Sequence, residues 1–258
     1  MTKWVALSRQ QHADLAYMPR DSYQFASTHA VTEVGVAELP QLLPHYLLGI
    51  VSIEGQWQLV AVLGMQPGQN LYARRDGSWI ASYVPASLRR YPFRLGKAPN
   101  VDDLVLCLAD DALTEEPTAP ALFDADELSD AVKAQLGFLQ AFEKNAAVTR
   151  QALHKLDEAG VIEPWPIRIP MSEGQRPLEA KGLYRINEQK LNELEADLFA
   201  SLRGIPLAIA HAHFFSQAKL NPLIGLAKQQ LENGVATPES LDGFFGEDDD
   251  DLTFDFDS

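Results

Sequence analysis

The sequence predicts an α+β fold: a largely antiparallel sheet built from the N-terminal half, covered by helices of the C-terminal half. Three observations predict it. Apolar, β-branched runs separated by glycine turns fill residues 46 to 84. From Leu128 onward the apolar residues recur instead at helical spacing. Hydrophobic residues make up 46% of the 258, which suits a globular chain with a sizeable core.

The segment up to Pro44 reads as irregular, with one strand near Tyr23 to Val36. Tyr46 to Ile53 and Trp57 to Gly64 form a hairpin around Glu54-Gly55-Gln56, and their nearly unbroken apolar character predicts that both faces are covered. A second hairpin pairs Asn70–Arg75 with Ser78–Val84 around Asp76-Gly77. With a two-residue loop, Arg74 faces Trp79 and Ala73 faces Ile80, which sets Arg74 over Trp79 as a cation–π pair. Pro85 opens a short helix, Ala86 to Arg90, that stops before Pro92, and Val101 to Leu108 reads as a further strand.

In the second half, Val132, Leu136, Leu139, Phe142, Ala146, Leu153 and Leu156 mark one long helix or two, with Asp126 or Ser129 at the start and Gly160 at the end. The prolines from Pro164 to Pro177 indicate an extended connection. Leu191, Leu194, Leu198 and Leu202 form an amphipathic stripe between Asn187 as cap and Gly204 as stop. Pro206 and Pro222 open two further helices. The expected organisation is a β-rich half (1–118), a helical half packed on it as one unit (119–240), and a disordered acidic-aromatic tail (241–258).

A net charge of −15 argues against nucleic acid and anionic membranes as partners. The opening residues lack a signal-peptide core, and no apolar run reaches the ~18 residues of a membrane span, so a cytoplasmic location is expected. The single cysteine, Cys107, sits in an apolar run and reads as a core residue. It rules out an intrachain disulfide and a cysteine zinc cluster.

The stretch Gly64-Met65 … Gly68-Gln69-Asn70-Leu71-Tyr72 … Asp76-Gly77-Ser78-Trp79 … Tyr83-Val84-Pro85 … Leu88-Arg89-Arg90-Tyr91-Pro92-Phe93 resembles the SapC family of bacterial proteins. Ala121-Leu122-Phe123-Asp124, Gly182-Leu183-Tyr184-Arg185-Ile186 and Ala210-His211-Ala212-His213 through Ser216 fit the same pattern. The resemblance implies a role near the uptake or modification of amino acids or peptides. It brings no catalytic residues with it and does not extend to the acidic tail.

Charge segregation gives the candidate site. Between Asn70 and Lys97 lie Arg74, Arg75, Arg89, Arg90, Arg94 and Lys97 against Asp76 alone, a local +5 that leaves −20 for the rest of the chain. Arg74, Arg89 and Arg90, with Tyr72, Trp79 and Tyr91, are the expected ligand-binding surface for an anion, since the guanidinium fork fits a carboxylate or phosphate. The competing reading pairs these arginines with the chain's own surplus acids. Phe244, Phe245, Phe254 and Phe256 alternate with acids and form a candidate partner-binding tail, against the alternative of a solvated solubility tail.

No nucleophile elbow, P-loop or dinucleotide-binding turn is present, so no catalytic residue is assigned and no cofactor is expected. His211 and His213 stand at i and i+2, about 200° apart on a helix, so no metal site is assigned to them. The expected function is therefore a non-catalytic binding or accessory protein with a protein or peptide partner or an anionic small molecule. The alternatives are an enzyme acting on an amino acid or peptide and a surface-layer accessory factor.

Overall fold

Antiparallel strands from the N-terminal half meet helices that lie mainly in the C-terminal half, the α+β class expected. The computed structural model describes residues 3–97, 104–169 and 178–232. The described chain folds as two units. The first takes residues 3–21 and 88–143; the second takes residues 22–87 and 144–232.

In the first unit, the strands Trp4–Ala6, Leu104–Ala109 and Phe93–Lys97 form a sheet with Leu104–Ala109 in the middle. Phe93, Leu108, Ala112 and Leu122 from this region bury with Val132 and Leu139 of the long helix. Cys107 is buried in the central strand, and burial pushes its thiol up, which disfavours the reactive thiolate. Leu104–Ala109 carries the expected strand; residues 101–103, where its start was expected, lie outside the described residues.

The second unit is organised around the first predicted hairpin. Leu47–Ile53 pairs with Gln56–Val62 through a two-residue turn, Glu54-Gly55, with both residues at positive φ and Ile53 opposite Gln56. That is the backbone that matches strand twist in a tight hairpin, so the turn is one residue shorter than expected. The hairpin is central in a five-stranded sheet, and Leu47 to Val51 are buried throughout. Val31–Glu33 adds on one side, within the span of the one strand expected before Pro44; that segment also holds the strands Trp4–Ala6 and Ala16–Tyr17, too short to show an alternating pattern. Tyr184–Ile186 and Ile162–Pro164 add on the other. Two strands that flank the proline-rich connection, Ile162–Pro164 and Tyr184–Ile186, thus join a sheet otherwise drawn from the N-terminal half.

One continuous helix, Asp130–Glu158, resolves the choice between one and two. Ser129 stands at its start: its carbonyl accepts from the N–H of Lys133 and its hydroxyl lies 3.4 Å from the N–H of Val132. Gly160, at φ +70°, ends it. Its length reflects an apolar stripe sustained over eight turns. Among the described residues no helix is long and apolar enough to cross a membrane.

Two predicted elements differ. The leucine stripe splits into Glu188–Asn192 and Ala196–Ser201, with extended backbone at Glu195. Leu191 and Leu202 are buried while Leu198 is exposed, so packing of the outer leucines overrides the continuous helical period. Asn187 caps the first piece through the Lys190 N–H at 2.9 Å, and Gly204, at φ +92°, precedes the helix Ile205–Ser216. The second hairpin reduces to a single bridge, Ala73 opposite Trp79. Its loop has three residues: the Gly77 N–H bonds the Arg74 carbonyl at 3.0 Å, and Gly77 takes φ +82°. This is a type I turn followed by a left-handed glycine, which Asp-Gly also suits, and it moves every pairing by one residue.

Candidate functional site

Arg89, Arg90 and Tyr91 lie together in the first unit: Arg89 ends the short helix Ala86–Arg89, and Arg90 and Tyr91 follow in the loop that leads to the strand from Phe93. The peptide bond Tyr91–Pro92 is cis. Side chains distant in sequence pin this loop through its carbonyls. Arg20 Nη1 donates to the carbonyls of Leu88 and Arg89 at 3.3 and 2.9 Å, and Gln135 Nε2 donates to that of Arg90 at 3.0 Å. The carbonyls a short helix leaves unsatisfied at its end are met by a cationic donor, the favourable sign for that terminus.

The loop aims its two arginines at one face of the long helix. The Arg89 guanidinium carbon lies 5.3 Å from the centre of the Phe138 ring, and that of Arg90 5.2 Å from the Phe142 ring. Phe138 and Phe142 are one helical turn apart, so the two cation–ring pairs stand side by side. Arg90 Nη1 also lies 3.8 Å from Glu143 Oε1, a half-exposed pair at the outer limit of an ion contact. Tyr91 turns the other way. Its hydroxyl donates to Asp111 at 3.2 Å, its ring meets Trp4 edge-on, and burial with the nearby carboxylate pushes the phenol up to about 12. Arg94 is buried over the Trp4 ring, 4.5 Å away.

The remaining three predicted residues lie in the second unit. Arg74 is exposed, with Nη1 3.5 Å from Ser78 Oγ. Tyr72 is 5% exposed, and its hydroxyl donates to the His45 carbonyl at 3.0 Å. Trp79 stacks on Tyr72 and donates from its indole nitrogen to the Tyr46 hydroxyl at 2.7 Å. Tyr46 in turn donates to the Tyr83 carbonyl, and burial pushes the Tyr72 phenol up to about 12. The fold thus brings Tyr72 and Trp79 together as a hydrogen-bonded aromatic layer. The turn beside them is held by Gln24, whose amide donates to the carbonyls of Arg74 and Arg75 at 2.9 and 2.8 Å.

The histidines resolve as a helix requires. His211 is exposed with Nδ1 on the Leu207 carbonyl, whereas His213 is wholly buried with Nδ1 3.1 Å from the Leu48 carbonyl. Among the described residues no three His, Cys, Asp or Glu side chains are grouped to hold a metal ion. The Phe244, Phe245, Phe254 and Phe256 tail lies outside the described residues.

Three contributors escaped the sequence reading. Arg20 and Gln135 carried no local signal, because each reaches the loop from 45 or more positions away. The third is a pair: His45 Nε2 lies 2.9 Å from the exposed Ser82 Oγ, 37 positions apart.

The family model SapC matches residues 7–223 of the 258. The chain belongs to the SapC family. No curated protein and no solved structure matches it. In this SapC chain the match takes in the whole Arg-Arg-Tyr-Pro-Phe loop, both phenylalanines beneath it, and the His213 and Ser216 positions; it stops short of the acidic-aromatic tail.

Proposed function

We propose that this SapC protein is a non-catalytic binding or accessory protein that captures an acidic peptide segment on the Arg89–Arg90 loop. One observation carries the reading: two guanidinium groups lie over phenyl rings one helical turn apart, in a loop anchored by Arg20 and Gln135. Ring contact restricts each long side chain, so less rotamer freedom is lost when a carboxylate binds. A guanidinium edge binds a carboxylate with two parallel hydrogen bonds, and the partly exposed Phe138 ring suits a peptide that mixes acids with aromatics. The strongly negative remainder of the chain repels acidic segments elsewhere, which favours this loop as the landing point.

Calorimetric titration with a short peptide alternating Asp and Phe tests the reading, with Asn in place of Asp as the control. Wild type binds the acidic peptide and not the control. Arg89→Ala with Arg90→Ala weakens binding at least about tenfold, the loss of one charge-assisted contact or more. Equal binding of both peptides contradicts the reading. The tail of acids and phenylalanines supports a second contact, with a basic partner. Removal of residues 242–258 abolishes co-purification of that partner if the tail is its docking segment.

The Ser82–His45 pair favours a second reading, an enzyme acting on an amino acid or peptide. It supplies a hydroxyl with a base in hydrogen-bond reach. Covalent labelling of Ser82 by a fluorophosphonate, lost in His45→Ala, supports that reading; an unlabelled Ser82 dismisses it.

A further inference from the structure

We propose that Glu143 is a built-in competitor for the anion site, resting on the reading above: it occupies Arg90 until an incoming carboxylate displaces it. Glu143 follows Phe142 on the long helix, so one stretch of helix offers Arg90 both a ring and a carboxylate. The Arg90–Glu143 separation of 3.8 Å is too long for a hydrogen bond, and both side chains are about 30% exposed, at 27% and 31%. Such a half-exposed pair contributes little to stability, because water screens it and two long side chains must be held in one arrangement. It is therefore easily opened. Arg90 is meanwhile kept in place by the Phe142 ring and by the Gln135 bond to its own carbonyl, neither of which involves Glu143. Opening the pair frees the guanidinium without moving the loop.

Glu143 accordingly sets a threshold. A ligand carboxylate gains on Arg90 only what it exceeds over the internal one, so weak single carboxylates are turned away. Removing the competing charge makes binding tighter, the reverse of what an ordinary binding residue does.

The test titrates the Asp-Phe peptide into wild type, Glu143→Gln, Arg90→Ala and the double variant. Melting temperatures confirm that each is folded. Glu143→Gln binds threefold to tenfold tighter than wild type, and its effect vanishes when Arg90 is already alanine. If Glu143→Gln binds with wild-type affinity while Arg90→Ala binds weakly, the competitor role is wrong and the anion site stands. Weaker binding in Glu143→Gln overturns the proposal by making Glu143 a support for Arg90. If neither wild type nor Glu143→Gln binds, the site reading fails and the competitor role falls with it.

Discussion

The backbone N–H of Leu48 donates to the Ser216 hydroxyl at 3.0 Å, so a helix side chain continues the hydrogen bonding of a strand. On its other edge the strand of Leu48 meets Tyr184–Ile186 at one pair, Ile50 with Tyr184, and Leu48 lies beyond it. The helix Ile205–Ser216 supplies the missing partners: Ser216 for the N–H and His213 for the carbonyl. Ser216 is itself satisfied by donating to the His213 carbonyl at 2.7 Å. The His-x-x-Ser spacing thus fastens a helix to a sheet.

Ser216→Ala leaves the buried Leu48 N–H without a partner. The expected loss is about 1–3 kcal/mol, the desolvation cost of one buried donor. Urea unfolding measures it as a lower midpoint at unchanged slope.

His213 gives the same joint a pH dependence. Burial holds its imidazole down to about 4, from the ordinary value near 6.5. The folded state binds this proton less readily than the unfolded one, so the contribution is full above about pH 6.5 and is lost as pH falls towards 4. His213→Asn keeps a donor for Leu48 without the titration. Its stability between pH 7 and 4 falls less steeply than wild type in parallel urea series.

Glu163 acts in a lower window. Asn187, Arg185 and Lys190 all donate to it, with Asn187 and Arg185 at 2.8 Å, and they hold its carboxyl at about 2. Its stabilising effect is present above about pH 4.5 and drains away as pH falls towards 2. Glu163→Gln lowers stability at pH 7 and narrows to wild type in strongly acidic solution. A constant difference across pH contradicts the assignment.

Gly77 is constrained twice. Its φ is +82°, and a Cβ there comes within 2.5 Å of the Ser22 side chain. Gly55, at φ +78°, has open space around its Cβ position. Gly77→Ala is expected to cost about 2 kcal/mol or more and Gly55→Ala about 1, the difference being the clash. Thermal melts of the two variants separate backbone strain from steric overlap.

What the sequence revealed was local. Glu54-Gly55 announced its hairpin because the turn chemistry lies within two residues, and Ser129, Asn187 and Gly160 mark helix ends at the residues that perform the task. Non-local pairing stayed hidden. Nothing around Ile162 or Tyr184 shows that they extend a sheet begun more than 100 residues earlier. Asp76-Gly77 suits two turn types, and only the contacts of Gly77 with the Tyr23 N–H and of Gln24 with the Arg74 and Arg75 carbonyls select the longer one. The arginine cluster was visible as charge, but its two seats on Phe138 and Phe142 depend on the loop's approach to the long helix.

The most direct measurement is an arginine-side-chain NMR titration of full-length protein with the Asp-Phe peptide. Capture on the loop predicts saturable shifts of the Arg89 and Arg90 Nε–Hε signals, with Arg74 and Arg185 unmoved. Shifts spread evenly over all arginines, or none at Arg89 and Arg90 while the peptide binds, would contradict the account.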